Sequence, residues 1–204
     1  METVVRVALL VVVSYLLGAF PSSYIAGRML RGIDLREHGS GNLGAANTFR
    51  VLGSRAAVPV LLADIGKGFL AVRLVPLYGL EGHWLTLLAA LIAILGHNYS
   101  VFVGFSGGKG VGTASGVFLA MAPLGVAICL LIWVIVLLVS RIVSVASMIA
   151  AVLLPPAIYL TGRYLGTPVH RSVLYLSIVV AVLVLYRHRS NMRRLREGTE
   201  RRIF

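Results

Sequence analysis

The chain has 204 residues, 58% of them hydrophobic and only 13% charged, with a formal net charge of +12. Soluble domains carry about a quarter charged residues, so this composition excludes a soluble enzyme and implies a membrane protein. The basic excess does not indicate nucleic-acid binding, because the arginines gather at the ends of apolar runs without interleaved aromatics on which bases could stack; the single cysteine, Cys129, excludes a disulfide framework and a cysteine metal site.

Runs of about 17–25 apolar residues cross a bilayer as helices. In chain order the predicted spans cover residues 4–24, 56–77, 84–103, 123–139, 148–160 and 172–186. The first is read as a retained helix, since Pro21-Ser22-Ser23-Tyr24 makes a poor cleavage site. Residues 111–121 form a further short apolar piece; fused with the run from Pro123 it would make 29 residues, too long for one ordinary span, and Pro123 is a natural break. The expected fold is all-α and polytopic, with about seven transmembrane helices in one membrane-embedded domain, 1–204, since no polar stretch is long enough for a soluble domain. At about 16 Å of helix, 111–121 is also short enough to be re-entrant, and a re-entrant hairpin over 111–139 would leave five crossings and the same parity.

With the N-terminus outside, loops 26–55, 104–110 and 140–147 and the tail from Arg187 all face inward. They carry 14 of the 19 Lys and Arg, against Arg6, Arg163 and Arg171 outside. The positive-inside rule selects this arrangement, with the C-terminus inside.

The first inward loop reads HGSGNLGAANTFR from His38 to Arg50. Its glycines with Ser40, Asn42 and Asn47 have the composition of a backbone amide nest for an anion, and Arg50 adds a fork for phosphate oxygens. An ordinary interfacial turn is the plainer alternative. The G-x-G-x-x-G spacing through Gly39, Gly41 and Gly44 has no preceding strand, so it does not indicate a dinucleotide fold.

The second loop, GFSGGKGVGT from Gly104 to Thr113, resembles a P-loop but has Gly110 after Lys109 where Ser or Thr is required, so nucleotide hydrolysis is not supported. Lys109 is one of only 2 lysines against 17 arginines. With Gly107, Gly108 and Gly110 at a helix start it suits a second phosphate or oxyanion site; a positive-inside anchor is the alternative.

The third cluster is the tail RHRSNMRRLREGTE from Arg187 to Glu200, where His188 and Asn191 share a helical face continuing from the last span. His188 binds phosphate when protonated or acts as a base when neutral, while such tails usually serve as headgroup-binding flanks. Asp64 and Lys67, three apart within the second span, are expected to form a structural ion pair. Ser144 and Ser147 either cap a helix or contact substrate, and His97 and Asn98 are expected to brace the second loop. No H-E-x-x-H or other metal-ligand spacing occurs.

Together SGNLGAANTFR, GHN followed by GGKGVGT, and RHRSNMRRLREGTE resemble the bacterial integral-membrane acyl-phosphate:glycerol-3-phosphate acyltransferases. The resemblance spans nearly the whole chain; Gly112 departs from the alanine that members often carry. It implies a compact seven-helix enzyme of the bacterial inner membrane with its site on the cytoplasmic side. Such an enzyme transfers an acyl chain from acyl phosphate to the 1-hydroxyl of sn-glycerol 3-phosphate, giving lysophosphatidic acid and inorganic phosphate. The implied partners are these two substrates and membrane lipids, with no cofactor, metal, nucleic acid or obligate protein partner.

By the same resemblance, Ser40, Asn42, Asn47, Arg50, Gly107, Gly108, Lys109, Gly110, His188 and Asn191 surround substrate phosphates. Ser144 and Ser147 lie near the acyl phosphate, and Ser40, Lys109 and His188 carry catalysis. The His-x4-Asp signature of the soluble-type acyltransferases is absent, because the fifth residue after each histidine is Leu43, Leu88, Phe102, Tyr175 or Arg193. A transporter of phosphorylated solutes is the rival reading, disfavoured by an outer face almost bare of polar groups.

Overall fold

The structure, a computed structural model, describes residues 1–80 and 82–203, and among these every regular element is helical. The chain packs as two compact units, residues 1–120 and 121–204.

The first unit holds α1 (Glu2–Ala19), α2 (Ser22–Arg31), α3 (Ala45–Leu52), α4 (Ser54–Arg73), α5 (His83–Asn98) and α6 (Val111–Met121), whose last residue passes into the second unit. The apolar run expected as one span over 4–24 is interrupted at Phe20-Pro21, because Pro21 lacks an N–H to continue the ladder, and α2 restarts behind it. Gly32, at φ +66°, then stops α2 in the left-handed conformation that glycine adopts without strain. Small residues set the packing. A Cβ at Gly18 would strike the backbone of Ala93, and one at Gly96 the Tyr15 carbonyl, so α1 and α5 touch backbone to backbone. Likewise Gly68 faces the Thr113 carbonyl and Gly116 the Ile65 carbonyl, which draws α4 against α6. In lipid, where burying apolar surface gains little between helices, such close van der Waals contact supplies the association.

The second unit holds α7 (Pro123–Ser140), α8 (Val143–Tyr164), α9 (Arg171–Arg187) and α10 (Arg189–Arg196). Pro123 opens α7, where its missing N–H costs nothing. Arg141, between α7 and α8, stands at φ +60° and accepts a hydrogen bond from the Ile203 N–H at 2.8 Å, so the tail returns to this junction. The helix expected to run on from α9 through His188 and Asn191 instead bends by 54° at His188.

Among the described residues four helical stretches, Glu2–Arg31, His83–Val103, Pro123–Ser140 and Val143–Tyr164, are long and apolar enough to cross a membrane, and the bent α9–α10 pair makes a fifth if taken as one span. Much of α7 is open to its surroundings, with Leu130, Leu131, Ile135, Leu138 and Val139 exposed. A lipid-facing helix has this character, its backbone bonds closed internally and its side chains meeting hydrocarbon.

Candidate active site

In the first unit, the chain after α2 is folded around Asp34. Arg36 donates to it through Nη2 at 2.6 Å and through Nε and its backbone N–H, and these bonds, outweighing burial, hold the Asp34 carboxyl down at about 2. The other arm of Arg36 donates to the Val103 carbonyl at 3.0 Å, and Leu35, Leu43 and Val103 bury together, so the first loop is fastened to the segment entering the second. Asn47, 1% exposed, accepts from the Ser40 N–H at 2.8 Å and donates to the carbonyls of Leu35 and His38. With its amide committed to the backbone, Asn47 shapes the loop that presents Ser40. Ser40 itself is exposed, while Asn42 and Arg50 are half-buried.

The second loop turns back on the end of α5. Gly107 and Gly108 donate their N–H groups to the carbonyls of Asn98 (3.2 Å) and His97 (3.1 Å). These two amides therefore point inward, away from the role of phosphate donors that the loop's composition suggested. Glycine is required at 108 by close approach: a Cβ there would meet the His97 ring and the Leu43 carbonyl. The two motif loops are thus in contact at Gly108 and Leu43. Gly110, at φ +82°, turns the chain into α6, whose first N–H groups begin at Val111, two residues after Lys109.

Beneath the loop lies a buried polar group. Asp64, 3% exposed, accepts from Ser22 Oγ at 2.6 Å and pairs with Lys67 Nζ at 2.8 Å, so the ion pair expected from the three-residue spacing is present. Lys67 also donates to the Phe20 carbonyl, left open where α1 ends, at 3.1 Å. His97 Nδ1 stands 3.7 Å from the same Asp64 oxygen. A small cavity borders Ser22, Asp64, Lys67, His97, Gly107 and Gly108.

The second unit gathers its polar residues around Glu200, whose side chain is 3% exposed. Its carboxylate accepts from Ser144 Oγ (2.7 Å), Arg194 Nε (2.7 Å) and Asn191 Nδ2. Burial alone would raise the Glu200 carboxyl, but these three donors outweigh it and hold the group below the usual carboxylate range. His188, 3% exposed, keeps Nδ1 against the Val184 carbonyl at 2.8 Å; a carbonyl only accepts, so Nδ1 carries the hydrogen and Nε2 is the acceptor in the neutral ring. Ser147 accepts from Trp133 Nε1 at 3.2 Å. Both serines lie inside the first turns of α8 with no side-chain capping bond, which removes the capping alternative.

Residues 8–198 match the glycerol-3-phosphate acyltransferase family model. The chain belongs to this family. Glycerol-3-phosphate acyltransferases from a Synechococcus species and from Halalkalibacterium halodurans are 46% and 42% identical to it, each over 96% of this chain and 94% of its own length. A glycerol-3-phosphate acyltransferase 2 of Moorella thermoacetica is 45% identical, covering 96% of both chains. Two crystal structures of PlsY (YgiH), an integral membrane glycerol 3-phosphate acyltransferase, share the fold. The glycerol 3-phosphate form gives a TM-score of 0.85 at 39% identity and the lysophosphatidic acid form 0.83 at 38%; each covers 96% of this chain and 94% of that one.

As a glycerol-3-phosphate acyltransferase the chain is a multi-pass membrane enzyme of phospholipid synthesis. Its first unit brings the 38–50 loop against the Gly107–Gly110 turn where Leu43 meets Gly108, and its second joins Asn191 to Ser144 through Glu200. Glu200, Ser22 and Asp34 were not singled out from the sequence. For Glu200 the available signal was an acid in a tail otherwise rich in arginine, and for Ser22 a small polar residue directly after the proline that ends an apolar run.

Proposed function

We propose that the enzyme transfers an acyl chain from acyl phosphate to the 1-hydroxyl of sn-glycerol 3-phosphate, releasing lysophosphatidic acid and inorganic phosphate. The observation that carries this reading is the contact of two glycine-rich, cationic loops in the first unit, with Lys109 at the start of α6. A lysine beside the open N–H groups of a helix start suits a phosphate or developing oxyanion. To this unit we assign substrate-phosphate binding by Ser40, Asn42, Arg50, Lys109 and Gly110, with Asn47, Gly107 and Gly108 holding the loops in shape. To the second unit we assign phosphate contacts by His188 and Asn191 and acyl-phosphate contacts by Ser144 and Ser147.

In the reaction, the glycerol oxygen attacks the acyl carbon, the bond from that carbon to the phosphate oxygen breaks, and phosphate leaves with the electron pair. Acyl phosphate is already a mixed anhydride, so no cofactor is needed and the protein stabilises charge on the carbonyl and leaving oxygens. The hydroxyl proton passes to Nε2 of His188 or to a substrate phosphate oxygen. Turnover of His188→Ala and His188→Gln across pH separates these, since unchanged rates in both remove the histidine from proton transfer.

The same reading places the protein in the bacterial inner membrane with seven crossings, the N-terminus outside and the motif loops and C-terminus on the cytoplasmic side, as the positive-inside rule favours. Purified protein given acyl phosphate and glycerol 3-phosphate forms lysophosphatidic acid and phosphate, with acyl-CoA and acyl-carrier protein compared as donors. Product formed only from one of these other donors would overturn the acyl-phosphate assignment.

A further inference from the structure

A charged pair buried this deeply is costly. Replacing such a pair by apolar residues is often neutral or stabilising, so Asp64 and Lys67 are not explained by stability alone. Their connections suggest what they set. The chain on both sides of Lys109 is referenced to Asp64: Gly108 rests on the His97 ring, and His97 faces Asp64 through Nδ1 at 3.7 Å. On the other side, a Cβ at Gly112 would lie 3.1 Å from the Asp64 Cβ, so the first turn of α6 also bears on this residue. Asp64 is in turn fixed by Ser22 from α2 and Lys67 from α4, and Lys67 by the Phe20 carbonyl that follows α1.

We propose that Asp64, Lys67 and His97 are positioning residues that set the height and tilt of the Gly107–Gly110 turn, and through it the affinity of Lys109 for glycerol 3-phosphate. The proposal rests on the substrate-phosphate site proposed for this loop and narrows its ligand to glycerol 3-phosphate. A displaced Lys109 loses binding to glycerol 3-phosphate equally in the ground state and the transition state, and such uniform loss raises KM for that substrate and leaves kcat unchanged.

The test compares the wild type with the double variant Asp64→Leu/Lys67→Met, which removes both charges together, and with Lys67→Arg and His97→Gln, which keep a polar group in place. Thermal midpoint in detergent and KM and kcat for each substrate are measured on each protein. The double variant is expected to melt close to the wild type, with KM for glycerol 3-phosphate raised about tenfold and KM for the acyl donor unchanged. The two conservative variants are expected to show smaller rises in the same constant. Native constants in variants that remain folded would overturn the proposal, as would a loss in kcat that merely follows the melting temperature. Should the double variant not fold, Lys67→Arg and His97→Gln decide alone, because native KM in both refutes positioning. If Lys109→Ala leaves KM for glycerol 3-phosphate at the wild-type value, the loop assignment fails instead, and that outcome is read separately.

Discussion

Each unit buries a carboxylate and surrounds it with donors, but by different routes. In the first, Asp64 meets its counter-ion three residues along the same helix, and the pair is enclosed by helices in close backbone contact. In the second, Glu200 reaches Ser144 from 56 residues away, carried back by a tail in which exposed Arg201 and Arg202 follow it. An ion pair built into one helix persists while that helix exists. A carboxylate delivered by a tail can be withdrawn without unfolding the helices it joins. The first arrangement is therefore a fixed reference and the second a fastening.

The contrast is broken or sharpened by substitutions of graded size. The largest effect is expected from Asp64→Leu alone, which leaves the Lys67 ammonium buried without its counter-ion and costs about 3–5 kcal/mol, read as thermal midpoint in detergent. Next, Glu200→Gln removes the charge that three donors share. A loss of about 1.5–3 kcal/mol is expected, with faster tryptic cleavage at Arg201 and Arg202 while the helical signal is retained. Unfolding of the whole chain at this step would erase the distinction between reference and fastening.

Acid offers a milder form of the same experiment. The Glu200 carboxyl is held below its usual range, so its contribution is complete above about pH 4.3 and is lost as pH falls through the lower folded value. Stability of the wild type should thus fall more steeply below pH 4 than that of Glu200→Gln. Asp34 contributes fully above about pH 3.9; the contribution shrinks below that and is gone once pH has fallen through about 2, so the first loop is unaffected by acidification that stops above about pH 4. Smaller still is Trp133→Phe, which deletes one bond to Ser147 and costs about 1 kcal/mol. The exposed pair of Arg6 and Glu2 closes the series: Arg6→Gln should shift stability by less than about 0.5 kcal/mol.

The sequence disclosed what local spacing and charge can carry. The Asp64–Lys67 pair follows from helical periodicity, the start of α7 from Pro123, and the bracing of the second loop by His97 and Asn98 from their position before it. What was hidden depends on distant partners. Residues 45–52 read as loop because glycine and asparagine dominate their flanks, yet they form α3, since Asn47 satisfies the turn before it and frees the following residues to wind. The bend at His188 has no proline or glycine to mark it in the sequence. Ser22 joins Asp64 across 42 residues, a contact visible only once α2 and α4 are side by side. The inward-facing amides of Gly107 and Gly108 likewise follow from α5 ending beneath them.

Where Gly18 meets Ala93 and Gly96 meets Tyr15, α1 and α5 leave no room for a methyl group. A joint this tight is also a gasket. Neither an acyl tail nor a file of water can part the two helices there, so the Asp64–Lys67 pair of α4, which lies beside His97 at the end of α5, is sealed from the hydrocarbon along that seam. The smallest residues in the chain thus keep its costliest ones insulated.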